Sequence, residues 1–112
     1  MVSPTAGAVV LVPFPFSDLS QTKLRPALVL ADAGRGDWVL CQITSNPYAD
    51  PHAVMLEEAD FEAGSLRVKS YVRPGKLFTA SESLMASQSG RLKPGSLSHA
   101  VDAVIALLRS AP

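Results

Sequence analysis

Residues 23–46, KLRPALVLADAGRGDWVLCQITSN, decide both the fold and the candidate site of this chain. Two continuous apolar runs, 27–31 and 38–43, have the length and composition of strands that are covered on both faces. The turn residues between Gly34 and Asp37 predict that these strands form an antiparallel hairpin. The start of the first strand is therefore expected to lie beside the end of the second.

Polar side chains stand at this shared end of the hairpin. Arg25 precedes the first strand and is followed by Pro26, while Thr44 and Ser45 follow the second strand. A planar fork of guanidinium donors beside hydroxyl groups suits a phosphate group. Taken alone, these residues favour ordinary structural roles: a salt bridge at the rim for Arg25, and a strand-end hydroxyl for Thr44.

Length, composition and charge limit the possible functions. The 112 residues predict one domain, 1–112, and 47% apolar content is typical of a folded globular protein. The ten basic and ten acidic residues cancel. This balance disfavours binding along a long nucleic-acid track, which depends on counterion release, but it allows a cleft that grips a few nucleotides.

The cysteine content and the N-terminal sequence favour the cytoplasm. Cys41 is the only cysteine, and its apolar neighbours predict a buried thiol rather than a reactive one. Residues 8–12 are apolar, but no Lys or Arg precedes them and Pro13 and Pro15 interrupt them, so no secretory signal is predicted. No segment approaches the roughly 20 apolar residues of a membrane span.

The rest of the chain predicts further short strands and one helix. Strands are expected at 9–12, 54–56, 71–73, 76–79 and 84–88, and an acidic connection at 57–64. A C-terminal helix starting near Pro94 is expected because apolar residues recur there at spacings of three and four. These residues are Leu97, Val101, Val104, Ile105 and Leu108. Several short strands followed by one helix predict a mainly β fold, a small barrel.

The ordered set of motifs resembles the MazF/PemK/Kid family, the toxins of type II toxin–antitoxin pairs. The matching pieces are GAVVLV at 7–12, RPALVL at 25–30, QITS at 42–45, GS at 64–65, SYVR at 70–73 leading to FT at 78–79, GRL at 90–92, and the C-terminal helix. The resemblance implies an SH3-like β-barrel of the CcdB/MazF/Kid type that acts as a homodimer. It also implies cleavage of single-stranded RNA (mRNA) without metal or other cofactor, and silencing by a cognate antitoxin protein.

The resemblance implies catalytic roles for Arg25 and Thr44, which match residues that the family uses for catalysis. Metal-independent cleavage uses the neighbouring 2′-hydroxyl as nucleophile and leaves a 2′,3′-cyclic phosphate and a free 5′-hydroxyl. Arg25 would stabilise the negative charge that develops around phosphorus, since a guanidinium stays protonated at neutral pH. Thr44 would donate to a phosphoryl oxygen or position the 2′-hydroxyl.

The chain departs from the Kid-like members of the family at two places. Arg73 matches an arginine implicated in catalysis in those members, which carry an aspartate two residues further on. Gly75 stands at that position here and has no group to transfer a proton. Those members also carry a His or Glu in the loop before the Arg-Pro pair, where this chain has Leu19 and Ser20.

The identity of the general base is therefore open, and three candidates remain. They are Asp18, His52 and a water ordered by Thr44. Imidazole can transfer protons near neutral pH, but the position of His52 in a polar loop favours an inert surface histidine. His99 alternates away from the apolar helix face, so we expect it to be solvated.

The RNA-binding surface is expected to include residues that flank the proposed site or carry positive charge. These are Phe14, Phe16, Asp18, Lys23, Gln42, Ser45, Asn46, Tyr48, His52, Arg73 and Lys76. Exposed aromatic side chains in loops can stack on bases, which contributes about 1–3 kcal/mol each. For the two phenylalanines, packing against the barrel or a second subunit is an equal alternative, and the lysines could simply be solvated.

Two hypotheses about function follow. The first is a sequence-specific endoribonuclease toxin. The second is a non-catalytic protein on the same barrel: a degenerate ribonuclease, a nucleic-acid-binding module, or a toxin that poisons another target, as topoisomerase-binding relatives do. Fold alone does not separate them. Convergence of Arg25 and Thr44 on an open cleft, and RNA cleavage in the presence of a chelator, would favour the first.

Overall fold

The computed structural model describes residues 2–14 and 23–110, which contain seven strands and one α-helix. The strands are β1 (Ala8–Pro13), β2 (Leu24–Gly34), β3 (Asp37–Thr44), β4 (Val54–Leu56), β5 (Phe61–Gly64), β6 (Ser70–Ser81) and β7 (Ser87–Leu92). The helix, α1, spans Pro94–Leu108. Two short 3₁₀ turns lie at Glu58–Asp60 and Glu82–Leu84.

The strands form one antiparallel sheet that curls into a half-barrel, in the order β4-β6-β3-β2-β1-β7-β5. The predicted hairpin, β2 and β3, lies at the centre, with Ala27 opposite Gln42 and Leu28 opposite Cys41. Its turn is made by Arg35 and Gly36, which both have positive φ angles, 58° and 80°. The mainly β fold with a C-terminal helix is therefore confirmed.

Buried apolar residues in the described part of the chain form two clusters, one on each face of the central strands. One cluster comprises Ala8, Val10, Val12, Phe14, Ala27, Val29, Leu40, Ala80 and Met85. The other comprises Val9, Leu28, Cys41, Ile43, Leu56, Val72, Leu92 and Ala100. Successive side chains on a strand point to opposite faces, so continuous apolar runs fill both clusters. Ala100 belongs to α1, so the helix covers the second face.

The helix lies where it was predicted, and its buried face agrees in part with the predicted one: Val104 is buried and Leu97 packs against the core. Ala100 and Val104 are the buried residues of α1, and they lie four residues apart on one side of the helix. Ile105 and Leu108, predicted to face the core, are 43% and 68% exposed. The prediction overlooked Ala100 because alanine is small and carries little weight in an apolar pattern.

One strand, β6, replaces the two strands predicted on either side of Pro74. Cys41 of β3 pairs with Leu77 and Ile43 pairs with Val72, so residues 73–76 of β6 stand opposite the single residue Gln42. This arrangement is a β-bulge, which inserts extra residues into one strand and bends it. The Pro-Gly pair therefore bends a continuous strand instead of ending it.

Two further boundaries were predicted wrongly. The acidic connection expected at 57–64 contains a 3₁₀ turn and the strand β5. The strand expected at 84–88 lies instead at Ser87–Leu92, since Glu82–Leu84 forms a 3₁₀ turn that the Ser81 side chain caps by accepting from the Ser83 N–H. Within the described residues, no helix combines the length and the apolar character needed to cross a bilayer.

Candidate active-site cleft

An open cleft of about 420 Å³ lies at the end of the central hairpin. Six residues predicted from the sequence to belong to the site line it: Phe14, Arg25, Gln42, Thr44, Ser45 and Tyr48. The cleft therefore brings together the two predicted catalytic residues and four of the predicted RNA-binding residues. Phe16 and Asp18 lie outside the described residues.

The strand register explains why Arg25 and Thr44 share this cleft. Ala27 pairs with Gln42, and Arg25 and Thr44 each lie two residues further towards the same end of the hairpin. Side chains two residues apart on a strand point to the same face. The hairpin thus brings Arg25 and Thr44 to one rim, where both residues line the cleft, as the sequence predicted.

Arg25 is exposed, and within residues 2–14 and 23–110 no carboxylate forms an ion pair with it. It stands opposite Val12 on β1, so its backbone is fixed by the sheet while its side chain lines the cleft. The rim salt bridge considered from the sequence has no partner in this part of the chain. Because Arg25 is exposed and lines the cleft, its guanidinium can meet an anion that enters there.

The Thr44 hydroxyl is fixed by the loop that follows it. Its Oγ1 donates to the Asn46 carbonyl oxygen at 3.0 Å and accepts from the Asn46 backbone N–H at 3.1 Å. Such local bonds set the position of a hydroxyl at the end of a strand. A ligand that takes this proton must compete with the Asn46 carbonyl, whereas the oxygen keeps a second lone pair for an incoming donor.

Gln42 contributes an unsatisfied polar atom to the cleft wall. Its side-chain Oε1 is buried and accepts no hydrogen bond within the described residues. A buried acceptor without a partner costs about 1–3 kcal/mol. Because this oxygen has almost no exposed surface, a ligand in the cleft could reach it only after the Gln42 side chain moved.

Phe14 and Tyr48 occupy different environments. Phe14 is 8% exposed and packs edge-to-face on Phe78, with ring centroids 5.4 Å apart and an interplanar angle of 73°. Of the two alternatives weighed for Phe14, packing is the one that the structure bears out. Tyr48 is 62% exposed at the cleft, so its ring is available to a base.

Tyr48 lies in a turn that is tied to Arg73. The Asp50 N–H donates to the Pro47 carbonyl oxygen at 2.9 Å, and Arg73 Nε donates to Asp50 Oδ2 at 3.1 Å. The Arg73 guanidinium also lies 5.3 Å from the centroid of the Tyr48 ring. The backbone N–H of His52 donates to Asp50 Oδ1 at 2.9 Å. This bond and, after it, the interaction with Arg73 hold the pKa of Asp50 below its ordinary value, although desolvation acts in the opposite direction.

The other predicted residues that the structure describes do not line the cleft. Lys23, Asn46 and His52 are exposed and lie close in sequence to residues that line the cleft. Arg73 and Lys76 are half-buried in β6. Within the described residues, no group of three His, Cys, Asp or Glu side chains is arranged to hold a metal ion.

One wall of the cleft was missed by the sequence analysis. It is formed by Leu66, Val68 and Ser70, and Ser70 Oγ donates to the Val68 carbonyl oxygen at 3.0 Å. Val68 is 61% exposed. The chain bends at Arg67, which has a φ angle of 65°. The alternation of apolar and basic residues from Leu66 to Lys69 would have predicted a strand here instead of this loop.

Cys41 is buried, as predicted. Burial raises the pKa of its thiol to about 12, and the thiol donates to the Arg73 carbonyl oxygen at 2.8 Å. A thiol that stays protonated at neutral pH is a poor nucleophile. Its role is packing and support of the β6 bulge.

Residues 5–108 match the sequence model of the family described as "PemK-like, MazF-like toxin of type II toxin-antitoxin system". No curated protein matches the chain by sequence. Among solved structures, a MazF from Deinococcus radiodurans (form I) is 26% identical with a TM-score of 0.73, over 96% of this chain and 98% of that one.

Two further solved structures contain related chains bound to other proteins. A MazE–MazF structure from Deinococcus radiodurans (form III) has a chain that is 25% identical with a TM-score of 0.73, over 96% of this chain and 98% of that one. A mycobacterial endoribonuclease in complex with its cognate antitoxin is 16% identical with a TM-score of 0.68, over 100% of this chain and 98% of that one. At 16% identity, the likeness shows the fold alone.

Proposed function

The chain belongs to the PemK-like, MazF-like toxins of type II toxin–antitoxin systems, and we propose that it is a sequence-specific endoribonuclease that cuts single-stranded RNA. Toxins of this family are generally endoribonucleases. The observation that carries the proposal is the convergence of Arg25 and Thr44 on one open cleft. This is the arrangement that phosphoryl transfer needs, because charge builds up on the phosphate while a hydroxyl must be positioned.

In the proposed reaction, the 2′-oxygen forms a bond to phosphorus while the bond from phosphorus to the 5′-oxygen breaks. Arg25 stabilises the negative charge on the phosphoryl oxygens, and the departing 5′-oxygen takes a proton from solvent. A base must lie within about 3 Å of the 2′-hydroxyl. His52 does not line the cleft, and we assign this step to water held by Thr44, with Asp18, which lies outside the described residues, as the alternative base. The products are a 2′,3′-cyclic phosphate and a 5′-hydroxyl end.

The proposed RNA contacts explain the preference for single strands. An exposed aromatic ring can stack only on a base that has left its helical stack, and Tyr48 offers such a ring. Ser45 is exposed at the cleft and can pair with polar base edges. Lys23, two residues before Arg25, can hold a neighbouring phosphate.

We expect long single-stranded RNA to be cut by the purified protein in buffer containing EDTA. Mapping of the new ends should give 5′-hydroxyl groups that polynucleotide kinase labels without prior phosphatase treatment, and cyclic phosphates on the other side. The matched control is the same RNA annealed to its complement, which should be spared. Intact single-stranded RNA after incubation with excess protein would contradict the proposed function.

A non-catalytic member of the same fold is the second candidate, and Gly75 is the observation that favours it. Gly75 stands where Kid-like members have an aspartate. A Cβ atom added at Gly75 would lie 3.5 Å from Leu107 Cδ2 of α1. Position 75 therefore faces the helix. In this case, RNA or another protein would bind the cleft and no cleavage would follow.

We propose that the chain works as a homodimer and is silenced by a cognate antitoxin protein. The related chains in the Deinococcus radiodurans MazE–MazF structures are the basis for the antitoxin. The dimer is supported by exposed apolar side chains that a second subunit could cover: Ile105 and Leu108 on α1, and Met55 on the edge strand β4.

Light scattering at micromolar concentration should give a mass twice the 11.8 kDa of the chain. Two-fold association of these patches would remove the exposed apolar area from water. Leu108→Glu should weaken the dimer, whereas the neighbouring exposed Arg109→Glu serves as a control for added negative charge. A wild-type monomer under these conditions would count against the assembly.

A further inference from the structure

We propose that Asp50 and Arg73 are positioning residues whose ion pair holds the Pro47–Asp50 turn in its left-handed conformation and thereby fixes Tyr48 at the cleft. The inference rests on the proposed function, in which Tyr48 stacks on a base of the RNA. Arg73 acts through Tyr48, and it does not contact the reacting phosphate.

The Pro47–Asp50 turn has a backbone that its sequence does not favour. Its two central residues, Tyr48 and Ala49, have φ angles of 53° and 57°. Residues with a Cβ atom seldom adopt this left-handed region, and such conformations persist only where surrounding contacts impose them. Glycine or asparagine would be the usual choice here. The turn therefore needs contacts that hold it.

Contacts at both ends of the turn supply this restraint. At its start, Asn46 Oδ1 accepts from the Tyr48 N–H at 2.9 Å. At its end, one oxygen of the Asp50 carboxylate accepts from Arg73 Nε at 3.1 Å and the other from the His52 N–H at 2.9 Å. The Asp50 and Arg73 side chains are only 12% and 19% exposed, so solvent screens the pair weakly.

Arg73 is itself anchored firmly enough to hold the turn. It lies in the β6 bulge opposite Gln42, and its carbonyl oxygen accepts from the buried Cys41 thiol. Bulges near binding sites often redirect a side chain. Here the guanidinium donates to Asp50 while lying 5.3 Å from the centroid of the Tyr48 ring, a cation–π distance. A single side chain thus contacts both the end of the turn and its aromatic residue.

Asp50→Asn tests the ion pair, and the exposed helix residue Asp102 provides the matched control Asp102→Asn. In the free protein, we expect Asp50→Asn to speed hydrogen exchange of the residue-50 amide about tenfold or more, because that amide closes the turn. With a short RNA substrate, we expect KM to rise about fivefold or more, since loss of base stacking weakens binding. The kcat should stay within about twofold, because Arg25 and Thr44 are untouched.

A double-mutant cycle shows whether the pair acts through Tyr48. In a Tyr48→Ala background, Asp50→Asn should change KM less than about twofold, because the ring that the pair positions is already absent. Arg73→Lys is the second variant: it keeps the charge but loses the Nε donor and the planar face, so it should reproduce the KM effect.

Three outcomes would overturn the proposal. The first is that Asp50→Asn and Asp102→Asn show the same hydrogen-exchange rate for the residue-50 amide and the same KM. The second is that Asp50→Asn raises KM as much in the Tyr48→Ala background as it does in the wild-type background. The third is a fall in kcat without a change in KM for Arg73→Lys, which would put Arg73 at the reacting phosphate. If the wild-type protein cuts no RNA, the proposed function fails, and the exchange rates alone decide whether the ion pair holds the turn.

Discussion

Replacing Arg25 with alanine should abolish RNA cleavage and growth inhibition while leaving the fold intact. Removing one preorganised donor to a charged transition state typically lowers kcat about a hundred- to thousandfold. Arg25 is exposed and forms no ion pair within the part of the chain that the structure describes. Its loss should therefore change the free energy of unfolding by less than about 0.5 kcal/mol. Single-turnover cleavage and thermal melting measure the two effects.

Two further variants show which property of Arg25 matters. Arg25→Lys keeps the positive charge but not the planar fork, so it should recover only a small part of the rate if bidentate phosphate binding is required. Arg109→Ala removes an equally exposed arginine at the end of α1, away from the cleft, and should cut RNA at the wild-type rate. Undiminished cleavage by Arg25→Ala would overturn the assignment.

The central part of the fold could be predicted because its signals are local. The apolar runs, the turn at Arg35-Gly36 and the Arg25-Pro26 pair all lie within one hairpin, and its register places Arg25 beside Thr44. The C-terminal helix was predictable for the same reason, since its period is read from consecutive residues. Its exposed Ile105 and Leu108 were not, because the face that α1 buries depends on where the sheet lies.

Features that depend on distant pairing escaped prediction. The continuity of β6 through Pro74 is set by its partner β3, some thirty residues earlier in the chain. The wall at Leu66 to Ser70 becomes part of the cleft only when the half-barrel curls. The sequence does not reveal that Asp50 lies beside Arg73, and the RNA contact of Arg73 stays a prediction. Long-range neighbours of this kind change the role of a residue without changing its local pattern.

Thr44→Ala should reduce kcat by about a hundredfold, more than His52→Ala or Asp18→Ala. The Thr44 hydroxyl lines the cleft, and its bonds to Asn46 hold it in one position. Thr44→Ser, which keeps the hydroxyl, should retain most of the activity. Thr44→Val, which keeps the shape, should behave like Thr44→Ala.

The pH dependence of cleavage tests whether a histidine supplies the base instead. The His52 side chain is exposed and does not line the cleft, so His52→Ala should cut RNA within about twofold of the wild-type rate and give the same pH–rate profile. A histidine base would produce an inflection near pH 6 to 7 that this variant lacks. Loss of such an inflection in His52→Ala, or a larger rate loss than in Thr44→Ala, would make the histidine the base. Water positioned by Thr44 would then have no part in proton transfer.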